Sequence, residues 1–338
     1  MKNKRKLISV SLLLSMSLIS CNQSQNDIGL FIYDGNDTFI SYLTGEIKGK
    51  ISQMGKSCSS YEASRSQRIQ NDQIISDLNE NYSKVLMVNL VDRLAASSII
   101  QKAETSKKPI IFFNREPLNE DLENDNVYYV GSDPTVEGEL QAQMAGELFG
   151  NPTSLNPLRD KNGDNKIQVI LLKGEQNHQD AENRSKYCIQ GLKNVGYDVD
   201  ILSVSYCDWS RTKGYNAMKS LYAKYGEQIE IVLSNNDDMA VGALDYLIED
   251  KIFSPENEVN EQPFPIIGVD ATEVGIKAIK DNLLYGTVKN DASSQADAIS
   301  TLGKYFLEGT EIDSSFPYTI NSNHAIYIRG KGLTKKDL

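Results

Sequence analysis

Carboxylates, carboxamides, one arginine and two aromatics recur just behind the apolar runs of this chain. Asp37 and Phe39 follow the first run, residues 28–33, and Asn114 follows residues 109–113. His178, Asp180 and Arg184 follow residues 167–172, and Trp209 follows residues 199–204. Asn236, Asp270 and Asn290 close the next three runs. Such groups suit a polyhydroxylated ring, a sugar. Each ring hydroxyl both donates and accepts, and planar Asp, Asn and Arg side chains bond hydroxyls in pairs. The C–H faces of the ring are apolar and lie well on aromatic side chains. Taken singly, an Asp or Asn behind a strand is a turn former or a helix N-cap, and Phe39 is core. Trp209 is the sole tryptophan and His178 one of two histidines, so their placement in polar loops needs another account. The signal is the repetition at one run end after another.

The runs are strands alternating with helical stretches. A first series covers residues 28–149. A second begins after a polar, Pro- and Asn-rich stretch, residues 151–166. Repeated strand–helix units imply parallel sheets with right-handed crossovers and helices on both faces. The expected fold is α/β, with two doubly wound parallel-sheet lobes joined by a hinge. Ligands in such sheets sit beyond the carboxyl ends of the strands, where the polar residues lie. The expected division is residues 28–131 plus 291–325 in an N-terminal lobe, and 132–290 plus 326–338 in a C-terminal lobe. The last expected strand, residues 325–328, ends the chain.

A separate cluster lies in residues 160–168. Asp160, Asn162, Asp164 and Gln168 stand at positions 1, 3, 5 and 9 of an EF-hand-like loop, with the Lys166 backbone carbonyl available at position 7. Hard oxygen ligands at this spacing suit Ca²⁺ or, less well, Mg²⁺. The full pattern fails, since position 12 is Leu171 and position 6 is Asn165. Asn tolerates a left-handed backbone, so the turn remains open to it. A plain turn held by Asx bonds is the other reading.

Long strings carry a resemblance. They are Asp37-Thr-Phe39, Phe112-Phe-Asn114-Arg-Glu-Pro117, Leu171-Leu-Lys-Gly-Glu175, His178-x-Asp180-Ala-Glu-x-Arg184, Asn235-Asn-Asp237, Gly268-Val-Asp270-Ala and Gly286-Thr-Val-x-Asn290-Asp291. In this order, from about residue 28 to residue 310, the chain resembles the periplasmic galactose/glucose-binding proteins, which serve sugar ABC transport on the type I periplasmic-binding-protein fold. The resemblance implies that Asp37, Asn114, His178, Asp180, Arg184, Asn236, Asp270 and Asn290 bond sugar hydroxyls, and that Phe39 and Trp209 sandwich the ring. It implies that Glu230 completes a structural Ca²⁺ site. The chain departs from that family at Gln176, Asn177 and Gln179, which replace a looser Pro/Gly setting around the histidine.

Composition and the N-terminus bound the rest. In 338 residues, 40% apolar content supports packed cores, and a formal net charge of −11 argues against a nucleic-acid partner. Lys2, Lys4, Arg5 and Lys6 precede an apolar stretch, residues 7–19, too short to span a bilayer. The pattern reads as a secretory signal over residues 1–20. Its end, Leu18-Ile-Ser-Cys21, resembles a bacterial lipobox, which implies lipidation of Cys21 and a tether over residues 21–27. Cys58, Cys188 and Cys207 are odd in number and lack metal-ligand spacing. The expected protein is a non-catalytic monomer, lipid-anchored to the bacterial cell membrane and facing outward. It captures D-glucose or D-galactose for an ABC permease. The alternative is a sugar-sensing subunit for a chemoreceptor or sensor kinase.

Overall fold

The computed structural model describes residues 25–338. The signal segment, Cys21 and the start of the tether lie outside the described residues. The chain opens with β1 (Asn26–Ile32), α1 (Thr38–Gln53), β2 (Cys58–Glu62), α2 (Gln67–Glu80), β3 (Ser83–Val88), α3 (Ala96–Thr105), β4 (Ile110–Phe113) and β5 (Val127–Ser132). It crosses to a second unit with α4 (Pro134–Phe149), the short ribbon β6 (Gly150–Asn151) and β7 (Ser154–Leu155), β8 (Lys166–Lys173), α5 (Gln179–Val195) and β9 (Asp198–Tyr206). There follow α6 (Arg211–Tyr225), β10 (Ile231–Ser234), α7 (Asp237–Glu249), β11 (Ile266–Val269), α8 (Glu273–Lys280) and β12 (Gly286–Lys289). It then returns with α9 (Ala292–Glu308) and β13 (Ala325–Ile328), and ends in the second unit with β14 (Lys331–Thr334).

The sheets run β2-β1-β3-β4-β5-β13 and β9-β8-β10-β11-β12-β14. All pairings in both are parallel except that of β14 with β12. This is the expected architecture of two doubly wound lobes. Alternation along each strand feeds two cores per lobe. In β3, Val85 and Met87 face the α1/α9 layer, while Leu86 and Val88 face the α2/α3 layer. In β8, Val169 and Leu171 face α4 and α5, while Ile170 and Leu172 face α6 and α7. Each aliphatic side chain removed from water in this way contributes about 1.5–3 kcal/mol.

Two expected boundaries are corrected. Residues 326–328 belong to the first lobe: Ile326 is buried and pairs in parallel register with Val130. Only β14 completes the second sheet, a strand without a sequence signal because it holds one buried apolar residue, Leu333. The chain therefore crosses between lobes three times, near residues 133, 291 and 330. Asn26 and Asp27 are strand rather than tether. The Asn26 N–H donates to the Tyr82 carbonyl, and Asp27 accepts from the Ser57 N–H at 2.9 Å and Lys84 at 2.8 Å. Cys58, Cys188 and Cys207 are free thiols. Among the described residues, no helix is long and apolar enough to cross a membrane.

Candidate functional site

The carboxyl ends of the two sheets face each other across a cavity. The first lobe contributes Asp37, Phe39 and Asn114. Asp37 leaves β1 in extended conformation and caps α1, its Oδ1 accepting from the Ile40 N–H at 3.0 Å. The helix N-terminus favours the anion there. Its Oδ2 accepts from the Tyr33 hydroxyl at 2.5 Å. Burial first, then Asp37 itself, pushes the Tyr33 phenol well up, so it stays a donor. Asn114 ends β4 with φ +61°, in the left-handed region that Asn tolerates. Its Oδ1 accepts from Asn89 Nδ2 at 3.1 Å, which leaves its own NH₂ group for a ligand.

The second lobe contributes His178, Asp180, Arg184, Trp209, Asn236, Asp270 and Asn290. His178 caps α5, and its Nδ1 accepts from the Asp180 N–H at 3.2 Å. Burial first, then Arg115 and Arg184, hold this imidazole well below its ordinary range. The ring is neutral with its proton on Nε2, a donor toward the cavity. Asp180 and Arg184 are four residues apart and share one helix face. Arg184 is 3% exposed and spends its fork on protein. Nε donates to Glu137 Oε2 at 2.6 Å and NH1 to the Asn235 carbonyl at 2.9 Å, while NH2 lies 4.0 Å from Asp270 Oδ1. Helices α4 and α5 approach closely enough for this because Gly138 faces Arg184: a Cβ there would lie 2.6 Å from the Arg184 carbonyl oxygen.

Burial pushes the Asp180 carboxyl up to about 7, against the pull of Arg184. Asp270 is pushed well above the carboxylate range by the same cause. Asp270 has φ +111° and accepts from Asn290 Nδ2 at 3.2 Å. Asn290 Oδ1 in turn accepts from Gln295 Nε2 at 2.5 Å. Trp209, at φ +63°, lies edge-on to His178 with centroids 5.1 Å apart. Its indole rests on Gly174, where a Cβ would fall 2.2 Å from the ring. Asn236 caps α7 through Oδ1, accepting from the Met239 N–H at 2.9 Å, and donates from Nδ2 to the Trp209 carbonyl at 3.3 Å.

All ten residues singled out in the sequence line this one cavity. Asp37, His178 and Asn236 are N-caps as well, so the bland and the functional reading hold together: one atom caps, the rest is left for a ligand. Tyr33, Ile40 and Arg115 also line the cavity and were missed. The Arg115 guanidinium lies 3.8 Å over the Tyr33 ring. The walls offer neutral donors (Asn114, His178, Asn236), an arginine and three carboxylates beside two aromatic faces. The chemistry of that set suits a polyhydroxylated ring, whose hydroxyls pair with planar donors and acceptors.

The residue 160–168 loop is a tight turn. Asp160 accepts from the Asp164 and Asn165 N–H groups at 3.1 and 3.0 Å, and Asp164 from the Lys166 N–H at 2.9 Å. Asn165 takes φ +59°. Glu230 reaches in, accepting from the Lys161 and Gln168 N–H groups at 2.6 and 3.2 Å. Burial first, with Asp160 adding repulsion, pushes Glu230 up to about 7. Gln168 Oε1 is buried without a partner. Among the described residues, no three His, Cys, Asp or Glu side chains gather as a metal centre.

Comparison with known proteins places this geometry in context. The pattern of the periplasmic binding protein domain family matches residues 28–311. The chain is 34% identical, over 92% of each chain, to the D-galactose/methyl-galactoside binding periplasmic protein MglB of Haemophilus influenzae. It is 23% identical to the ribose import binding protein RbsB of Salmonella typhimurium, over 72% of each chain. Among solved structures it is similar to an ABC transporter periplasmic solute-binding protein of Actinobacillus succinogenes with bound D-allose. That match has TM-score 0.76 and 18% identity, and covers 93% of this chain and 99% of that one. A solute-binding protein of Bacillus halodurans with bound myo-inositol matches at TM-score 0.76 and 20% identity, covering 94% and 97%.

Proposed function

The chain belongs to the periplasmic binding protein domain family, and from that premise we propose that it captures free D-galactose or D-glucose outside the cytoplasm and delivers it to an ABC permease. The observation that carries this reading is the convergence of Asp37, Asn114, His178, Asp180, Arg184, Asn236, Asp270 and Asn290 on one cavity with Phe39 and Trp209. Hinge closure of the lobes around the ligand makes the form a permease recognises. The reading is non-catalytic and anchors the chain through lipidated Cys21. Calorimetry with galactose, glucose, ribose, D-allose and myo-inositol tests it. Tightest binding by either of the first two supports it, and tighter binding of ribose or inositol overturns it. Release of product from aryl galactosides or glucosides would overturn the non-catalytic part. A sensor role for the same sugar is separated by whether the sugar-loaded protein stimulates a permease ATPase.

Trp209 is expected to lie on the sugar ring. As the sole tryptophan it reports alone, so intrinsic fluorescence should shift on titration with galactose. Trp209→Ala should weaken binding by about 1–3 kcal/mol. A flat fluorescence titration beside calorimetric binding would remove Trp209 from the ring face.

We further propose that Asp160, Asn162, Asp164, Gln168 and Glu230, with the Lys166 carbonyl, hold structural Ca²⁺. The donor set is all oxygen, Gln168 Oε1 is an acceptor without a partner, and Glu230 is an acid that burial and the Asp160 charge push up to about 7, which a divalent cation beside it would reverse. A metal that binds only the folded chain raises the melting temperature by mass action. Chelation should therefore lower it, and Asp164→Ala should abolish the dependence. Identical melting with and without Ca²⁺ in metal-stripped protein leaves the Asx-bonded turn as the account.

A further inference from the structure

Contacts between the lobes fall on neighbours of the ligand-bearing residues. Arg115 follows Asn114, and its NH2 donates to Glu175 Oε1 of the second lobe at 2.9 Å. The next residue, Glu116, is buried, and its Oε2 accepts from Gln179 Nε2 at 2.7 Å. Gln179 is the first residue of α5 and stands between His178 and Asp180. The other oxygen of Glu116 accepts from the Tyr327 hydroxyl at 2.5 Å, in β13, three residues before the last crossing. Arg93 donates to the Glu116 and Pro117 carbonyls, both at 2.9 Å, and fixes the backbone that presents the carboxylate.

We infer that Glu116 and Gln179 are positioning residues that clasp the closed form. Their bond, anchored on Tyr327 and flanked by the Arg115–Glu175 pair, holds the turn carrying His178 and Asp180 over the first lobe. Neither residue lines the sugar cavity. The inference rests on the sugar-binding reading for its ligand and on the lobe contact for its mechanism. Because the bond exists only with the lobes together, it acts on departure of the ligand rather than on encounter.

The test is stopped-flow kinetics with galactose on Gln179→Pro, a change the first helical position accepts. Loss of one charge-assisted bond should raise the dissociation rate roughly tenfold, with the association rate and melting temperature nearly unchanged. Glu116→Gln and Gln179→Glu should each speed dissociation. Combined, they exchange donor and acceptor and should restore most of the wild-type rate. Unchanged dissociation in Gln179→Pro, or an exchanged pair no slower than the worse single variant, overturns the clasp. If the wild type binds no hexose, the sugar reading fails separately. The clasp is then read from a spin-label distance between lobes in the ligand-free chain. That distance should lengthen in Gln179→Pro, and no change overturns it.

Discussion

Arg184→Met is expected to abolish sugar binding and to destabilise the second lobe by about 3–5 kcal/mol, the cost of leaving a buried charge without its partner. Glu137 is fully buried, and its bonded oxygen depends on Arg184 Nε, while Asp270 Oδ1 sits 4.0 Å from Arg184 NH2. Removing the guanidinium strands Glu137, takes the nearby positive charge from Asp270, which keeps its bond from Asn290 Nδ2, and frees the Asn235 carbonyl. Methionine fills most of the volume, so the loss is one of charge and hydrogen bonding rather than of a cavity. Adding Glu137→Gln to Arg184→Met should recover much of the stability but none of the binding. Urea unfolding and calorimetry on the single and double variants read the two effects apart. Wild-type stability in Arg184→Met would show that Glu137 is satisfied by something other than this arginine.

The second large effect concerns Asp37. In the proposed sugar complex we place it at the 4-hydroxyl, where glucose and galactose differ. A carboxylate has about four lone-pair sites and can serve an equatorial or an axial hydroxyl with little movement. Both sugars should bind within about tenfold of each other, roughly 1.4 kcal/mol. Asp37→Asn should weaken both by about 1.5–3 kcal/mol, since a charge-assisted acceptor becomes partly a donor facing the Tyr33 hydroxyl. For 4-deoxyglucose the loss is bounded. Asp37 already accepts from the Ile40 N–H and the Tyr33 hydroxyl, so a missing 4-hydroxyl does not leave the carboxylate bare. The expected penalty is on the same roughly 10- to 100-fold scale as Asp37→Asn, not a total rejection. Calorimetry of wild type and Asp37→Asn with the three sugars is decisive: equal affinity for glucose and 4-deoxyglucose would take Asp37 away from that hydroxyl.

Most of the ten cavity residues were legible because they stand in the loop or first helical turn behind a strand, where a doubly wound sheet exposes its ligand groups, and Arg184 follows one turn after Asp180 on the face of α5. Tyr33, Arg115 and Glu137 were not. Tyr33 reads as the last apolar residue of a strand, and its value lies in a hydroxyl aimed at a neighbour four residues on. Glu137 sits in the first turn of α4, where an acid is ordinary helix chemistry. Only the closeness of α5 at Gly138 turns it into a counter-ion. Gly174 matters through what it lacks, which no side-chain inventory can register. The fold was legible to the extent that apolar runs announce strands. Lys331–Thr334 pairs by backbone alone with one buried leucine, too little for a periodicity to show. The clasp escaped because hydrogen bonds between residues 116, 179 and 327 are set by topology, not by spacing.

The three crossings also govern when the molecule can become native. Residues 26–132 hold five strands of the first sheet, yet α9 and β13 arrive only after residue 291. Ala325 pairs with Tyr129 across almost two hundred positions of chain. The second lobe likewise lacks its edge until β14, residues 331–334. Long loops must close before such contacts return any stabilisation, and folding with so many distant partners is slow. A chain emerging from a ribosome or a translocation pore N-terminus first cannot finish the first lobe until residue 328 is free, nor the second until residue 334. It stays threadable until then, and deletion of residues 325–338 strips an edge from both lobes at once.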